Sequence, residues 1–516
     1  MHIDARTLED GSVIDGDLCI VGAGAAGISM ALEWIGATQR VLLLEAGGFD
    51  YDPRMQELYR GEITGLPYFP LQAARLHYFG GTTGHWAGFC SPLDPIDFTP
   101  RDWVPHSGWP ITRAHLDPYY ARAHRVLELG PYEYEAAQWQ RRNPRLVPFP
   151  LDPSIVWTKM WQFSPPTRFG TRYRDAILGA KNVHLYTNAG VREIEPNEAV
   201  AAVDGLRVRT LEGKEFRVRA KHYVLAASTI QNARLLLASN SRVASGLGNA
   251  HDLVGRFFME HLEMPSGVFV GVGARAPDTA MYAFEWGRTK ARGELALHEA
   301  VQRERRVLNA TVSFNPSGLD EEGKSTFQRV PPEMMEQRRR GRGGFTDTSV
   351  TRQRDMTPQR GSTRGFHLQT RQEQAPNPAS RVTLSVERDA LDMPRVRLDW
   401  RLTELDRRSF RDFYEVLGRE MGRAGVGRVQ MRPWVLEKPD APWPASVGGG
   451  WHHMGTTRMH SDPKQGVVDP DCRVHGIANL SVAGAAVFPT AGCANPTLTL
   501  VAMSLRLSDQ LKSTLT

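Results

Sequence analysis

Cysteine is nearly absent: Cys19, Cys90, Cys472 and Cys493 are the four in 516 residues. They are too few and too scattered for a disulfide framework. None falls in a C-x-x-C zinc spacing or a C-x-x-C-H haem spacing. Long apolar runs are missing too, since no stretch reaches the roughly 18 consecutive apolar residues that a membrane-spanning helix requires. The N-terminal "MHIDARTLEDGSVIDGD" carries acidic residues and no apolar core of the kind a secretory signal needs. The expected address is therefore the cytoplasm. No internal repeat and no long low-complexity linker is present.

A strong bias of charge is also lacking. The net charge is +6 with a pI near 9.1, but the basic residues are spread along the chain. One local cluster, "EQRRRGRGGF" from Glu336 to Phe345, holds Arg338 to Arg342 and has no RNA-binding motif around it. It reads as a solvated basic loop, with an anionic substrate or acidic partner as the alternative, and nucleic acid is not an expected partner. Hydrophobic content of 41% and charged content of 23% are those of an ordinary globular chain, long enough for two or three domains.

The most legible segment is "DLCIVGAGAAGISMALEWIGATQRVLLLEAGG". It reads as an apolar strand, a glycine turn, an amphipathic helix and a second apolar strand ending in Glu45, a β-α-β unit of about 30 residues. Gly22, Gly24 and Gly27 have the G-x-G-x-x-G spacing. The three glycines serve a tight turn, close backbone approach to a pyrophosphate, and close packing of helix on strand. The helix N-terminus offers N–H groups and partial positive charge to phosphates, and Glu45 can accept from ribose hydroxyls. The unit predicts a bound dinucleotide, with NAD and FAD equally compatible.

Further strands are expected in "NVHLYTNAGVREIE" and in "FRVRAKHYVLAASTIQNARLLLAS", the second running into a helix. From Glu263 to Trp434 the texture changes. Runs such as "GVFVGVG", "RVLNATVSFNP", "FHLQTRQEQ" and "RVTLSVERD" have a period of two, as in an antiparallel sheet with one buried face. "ELDRRSFRDFYEVLGREMGRAGVGRV" then reads as an amphipathic helix. The tail "NLSVAGAAVFPTAGCANPTLTLVAMSLRLSDQL" returns to strand, glycine- and proline-rich loop, and helix, so the first domain is expected to be discontinuous. Between these lies "FGGTTGHWAGFC", Phe79 to Cys90, a glycine-rich loop with no helical or strand period. Read alone, its His85 is a solvated surface residue.

Four motifs in order make the sequence resemble the glucose–methanol–choline (GMC) family of FAD-dependent oxidoreductases over nearly its whole length. They are "VGAGAAG" with "LLLEAGG"; "GGTTGHW"; "VLAASTIQNARLLL" followed by "LVGRFFMEH"; and "WHHMGTTRM … GVVDPDCRVHGIANLSVAGAAVFPT … ANPTLT". The resemblance implies a Rossmann-like FAD-binding domain over 1–262 and 435–516, with cap segments near 50–180. An inserted α+β substrate domain on an antiparallel sheet then covers 263–434. It implies FAD as cofactor, His452 as the residue handling the substrate hydroxyl proton, and Asn495 as its partner. Oxidising an alcohol needs removal of the O–H proton as hydride leaves the adjacent carbon. A neutral histidine suits that task, and an amide orients the oxygen without competing for the proton. His453, directly following, is the alternative base and a candidate substrate contact; Asn495 read alone is also a turn residue before proline.

Gly80, Gly81, Thr82, His85 and Trp86 are expected beside the flavin ring, with Val191, Ala485 and Pro496 as further contacts. In some family members a histidine at the place of His85 is bonded covalently to the flavin and in others it is not, and both states stay open here. "GGTTGHW" is most similar to the sugar-active branch, that of pyranose oxidases and sugar dehydrogenases. A sugar, glycoside, polyol or aminoglycoside hydroxyl is the expected substrate, with Gln369 as a candidate contact and Phe366 either stacking on it or lying in the core. Oxygen, a quinone or another protein would take the electrons. Two other readings share the scaffold: a hydroxynitrile-lyase-type FAD protein, and the flavin subunit of a membrane-associated dehydrogenase complex.

Overall fold

The computed structural model describes residues 1–272, 278–283, 290–315 and 365–515; the basic tract Arg338 to Arg342 lies outside them. Two large sheets carry the fold. The first has eight strands in the order His2–Asp4, Val183–Thr187, Val41–Leu44, Val13–Val21, Glu215–Leu225, Val203–Arg209, Gly190–Pro196, with Leu480–Val482 also on Glu215–Leu225. Its first five strands and Leu480–Val482 pair in parallel, and the last two are antiparallel. Parallel strands covered on both faces read as continuous apolar runs, and all four residues of Val41–Leu44 are buried. The helix Ala25–Glu33 follows Val13–Val21 and packs against the C-terminal helix Pro496–Thr514.

The return of Leu480–Val482 to the first sheet makes that sheet discontinuous in sequence. Between its parts the chain builds a seven-stranded antiparallel sheet. Its order is Gly427–Met431, Leu262–Gly271, Gly365–Gln372, Ala310–Asn315, Lys290–Leu297, Val156–Phe163, Phe89–Cys90. Two of these strands, Phe89–Cys90 and Val156–Phe163, precede Glu263 in the chain. The helix Glu404–Arg423 covers one face through Phe413, Tyr414, Leu417 and Met421, against Phe269, Phe314 and Phe366. Phe366 is thus a core residue. Thr403 starts that helix, its N–H donating to the Asp406 carboxylate at 2.6 Å, which answers one backbone donor and places negative charge in the first turn. A three-stranded sheet of Arg381–Arg388, Pro394–Asp399 and Gly61–Ile63 completes the β structure. Among the described residues no helix is long and apolar enough to cross a membrane.

Candidate active site

The glycine turn between Val13–Val21 and Ala25–Glu33 is dictated by space. Gly22 has φ +104°, and a Cβ there would stand 2.7 Å from the Ala226 carbonyl oxygen. A Cβ on Gly27 would run into the Gly22 carbonyl oxygen, whereas one on Gly24 would meet nothing within 4 Å. Two glycines therefore close the turn and the third leaves its outer side open to a cavity of about 470 Å³. Glu45 stands at the cavity wall, accepting from the Ala23 and Gly47 N–H groups at 3.0 Å each. Burial raises the pKa of its carboxyl and those donors oppose the shift.

From this turn the cavity runs to the segment Gly450–His453 and to Asn495. One wall is Gly81 to Phe89, and here the reading of His85 as a solvated surface residue gives way. The Thr83 hydroxyl donates to the Gly80 carbonyl at 2.6 Å and accepts from the Phe169 N–H at 3.1 Å. Arg168 donates to the carbonyls of Thr83 and Trp86, and the Trp86 indole donates to the Thr167 carbonyl. These bonds order the loop without a regular period, which is why no periodicity marks it in sequence. His85 is half-buried on the cavity wall, its ring 5.3 Å from that of Trp451.

The inner end is built by pairing two distant segments. Met259 and Met454 exchange backbone hydrogen bonds at 3.0 Å, and Leu262 faces Gly449. This aligns Glu260 and His261 with the loop carrying His452. Glu260 is fully buried, and its Oε2 accepts the backbone N–H groups of His261, Gly450 and His452 at 3.1, 3.1 and 3.0 Å. Its Oε1 accepts a short bond from the Tyr68 hydroxyl, which is also 2.8 Å from His453 Nε2. Burial pushes the Glu260 carboxyl up to about 7 despite these donors. Glu260→Ala would leave three backbone donors without their acceptor, at about 1–3 kcal/mol each where water cannot replace it. A lower thermal midpoint and slower turnover are expected, with Glu260→Gln, which keeps one carbonyl oxygen, falling between; thermal denaturation of both variants checks this.

His452 Nε2 lies 3.1 Å from Asn495 Nδ2, and His452 Nδ1 lies 3.0 Å from His261 Nδ1. The Asn495 amide oxygen accepts from the Trp161 indole at 3.1 Å, so its NH2 faces His452. Glu263 Oε1 is 3.8 Å from His452 Nδ1 and is held by Arg371 Nε at 2.8 Å, a cross-strand pair whose Arg371 also reaches Glu294. Burial brings His452 down to about 4, with Glu263 opposing and Arg371 adding to the shift. Burial opposes ionisation of Glu263 too, but Arg371 and His452 outweigh it and hold the carboxyl at about 2. The imidazole of His452 is accordingly neutral at physiological pH.

Of the residues expected at the cofactor, Gly22, Gly24, Glu45, Gly81, Thr82, His85, Trp86, Val191, Ala485 and Pro496 line the cavity, as do His452, His453 and Asn495. Gly27 and Gly80 lie behind the wall as backbone spacers, Gly80 with φ +98° against Gly170. Gln369 is not on the wall. Arg371, two residues further along the same face of its strand, is. Glu260, His261, Glu263 and Arg371 were not singled out by sequence. The only trace was their charge inside otherwise apolar segments, "FFMEHLEM" and "FHLQTRQEQ", where an unpaired ionisable side chain is costly.

A family model described as GMC oxidoreductase matches residues 376–504, and one described as FAD dependent oxidoreductase matches residues 17–248. The chain is 24% identical to the fructose dehydrogenase large subunit of Gluconobacter japonicus, over 96% of this chain and 97% of that one. It is 27% identical to the 6'''-hydroxyparomomycin C oxidase of Streptomyces lividus, over 96% and 91%. A formate oxidase crystal structure superposes with a TM-score of 0.56 at 17% identity, covering 98% of this chain and 99% of that one, a likeness of fold. The glycine turn that leaves its outer side open and the cavity running from it to His452 fit the FAD that these comparisons imply. The chain thus joins an FAD dependent oxidoreductase domain over 17–248 to a GMC oxidoreductase C-terminal domain over 376–504, and it is an FAD-dependent oxidoreductase.

Proposed function

We propose that the protein oxidises a CH–OH group to a carbonyl on a sugar, glycoside, polyol or aminoglycoside. The observation that carries this is the meeting of His452 and Asn495 at 3.1 Å on the wall of a cavity that begins at the Gly22–Gly27 turn. Relatives named for fructose and for a paromomycin derivative support the sugar-like class. FAD, when bound, supplies the hydride acceptor. The Gly22–Gly27 turn and Glu45 would hold its dinucleotide end. Gly81, Thr82, His85, Trp86, Val191, Ala485 and Pro496 would lie along the rest.

The substrate oxygen lodges beside both His452 Nε2 and Asn495 Nδ2, replacing the 3.1 Å hydrogen bond that these two make to each other. The amide donates to it and orients it, and the imidazole takes its proton. Trp86, Phe89 and Trp451 give the same cavity apolar wall surface. In this reading residues 1–262 and 435–516 form the FAD-binding unit and 263–434 the substrate unit, whose sheet borrows Phe89–Cys90 and Val156–Phe163. Its four free, buried cysteines suit a cytoplasmic site of action.

Anaerobic mixing of the holoenzyme with a panel of sugars, polyols and aminoglycosides is expected to bleach the visible flavin absorbance with at least one class. Cleavage of a cyanohydrin without bleaching would replace this reading with the lyase one. Turnover with dyes and not with oxygen would favour a quinone or a partner protein as acceptor. Acid precipitation decides the state of His85: a coloured pellet that turns colourless in His85→Ala means a covalent bond, and a coloured supernatant a contact only.

A further inference from the structure

A base of this kind works only if the lone pair facing the substrate is the unprotonated one, so the tautomer of His452 matters as much as its place. A chain of hydrogen bonds determines it. His261 Nε2 lies 2.9 Å from the Gly492 carbonyl oxygen and 3.4 Å from that of Ala491. Carbonyl oxygens only accept, so this nitrogen carries the proton. His261 is fully buried and, chiefly for that reason, stays neutral, which leaves its Nδ1 as a lone pair. His452 Nδ1, 3.0 Å away, must then donate, and its Nε2 is unprotonated.

The opposite end of the chain gives the same answer independently. An indole N–H only donates, so the atom of Asn495 bonded to Trp161 Nε1 at 3.1 Å is the amide oxygen. The NH2 of Asn495 therefore faces His452 Nε2 at 3.1 Å and needs a lone pair there. Every donor from Trp161 to Gly492 points the same way. Glu263 Oε1 does not replace His261 as the acceptor: it is 3.8 Å from His452 Nδ1 and already takes the Arg371 Nε proton.

We propose that His261 is a positioning residue for this oxidation: it accepts the Nδ1 proton of His452 and so keeps the Nε2 lone pair directed at the substrate hydroxyl. The proposal rests on the reading of His452 as base. When His452 takes the hydroxyl proton at Nε2 it becomes an imidazolium, and its Nδ1–H bond to the His261 lone pair becomes a charge-assisted one.

Two variants separate this role from a structural one. His261→Asn places an amide oxygen near the former Nδ1 and gives up the Gly492 contact. His261→Gln reaches the Gly492 carbonyl and leaves no acceptor near Nδ1. Holoenzyme labelled with ¹⁵N in its histidine side chains reports the tautomer directly, with the His452 signals assigned by their loss in His452→Ala. Wild type and His261→Asn are expected to show a protonated Nδ1 and similar kcat. His261→Gln is expected to show a rise in the Nε2–H form and about 10²-fold lower kcat with little change in KM, the scale of a mispositioned general base. A His261→Gln protein with His452 still protonated at Nδ1, or with wild-type kcat, overturns the proposal. So does a His261→Asn protein as slow as His261→Gln. Full kcat in His452→Ala sinks the base reading instead, whatever the tautomer of His452 in wild type.

Discussion

His452→Ala is expected to lower kcat by about 10²–10⁴, the range that general-base catalysis contributes, with flavin content unchanged. The side chain removed is the one whose Nε2 lone pair faces Asn495 on the cavity wall. Its pH dependence gives a second test of the same claim. The competent form is neutral imidazole, present above the pKa and lost as pH falls through it. Burial holds that pKa at about 4, with Glu263 raising it and Arg371 lowering it, where an ordinary histidine titrates near 6.5. Activity should therefore show no acid limb near 6.5 that belongs to His452, and should fall only towards pH 4. Glu260, pushed up to about 7, titrates on the backbone side of the same loop, so the profile is to be recorded in Glu260→Gln as well. A limb near 6.5 that persists in Glu260→Gln and vanishes in His452→Ala would show a solvated, ordinary imidazole and refute the burial of His452 described above.

The second large effect concerns the glycine turn, and two substitutions are expected to part company. Gly27→Ala drives a methyl group into the Gly22 carbonyl oxygen, so the helix Ala25–Glu33 must shift away from its strand. Overpacking of that kind costs about 1–3 kcal/mol, and a loss at the upper end carried into binding is about 10²-fold in affinity. Gly24→Ala meets nothing within 4 Å, so the protein itself has room for the methyl group. The thermal midpoint of the apoprotein should fall for Gly27→Ala and hold for Gly24→Ala, while FAD titration shows both weakened. Full FAD affinity in Gly24→Ala would mean that the cofactor does not approach the open side of the turn.

Local chemistry made much of this legible in sequence. In the turn Gly22-x-Gly24-x-x-Gly27 the first and last glycines are steric necessities, and the apolar runs around it, within a strand–turn–helix–strand unit, fit buried parallel strands. Period-two runs such as "RVLNATVSFNP" announce antiparallel strands because side chains alternate between faces whatever the partner. The helix Glu404–Arg423 announces itself the same way, by its period and by Thr403 and Asp406 at its start. His452 and Asn495 were found through family resemblance to motifs, and the structure brings them together across 43 positions of chain.

Tertiary structure alone decided the rest, because each remaining feature is a relation between segments far apart. Glu260 acquires two of its three backbone donors, Gly450 and His452, only when 259–262 pairs with 449–454. Gln369 and Arg371 share a strand face and are indistinguishable by pattern, and the extent of the cavity along that strand puts only Arg371 on its wall. The strands Phe89–Cys90 and Val156–Phe163 join the second sheet from before Glu263, since backbone edges are satisfied by proximity in space and not by order in the chain. The tautomer of His452 is the furthest case. A proton's place on one ring follows from a carbonyl at Gly492 and an indole at Trp161, and no spacing in the sequence encodes the direction of a hydrogen-bond chain.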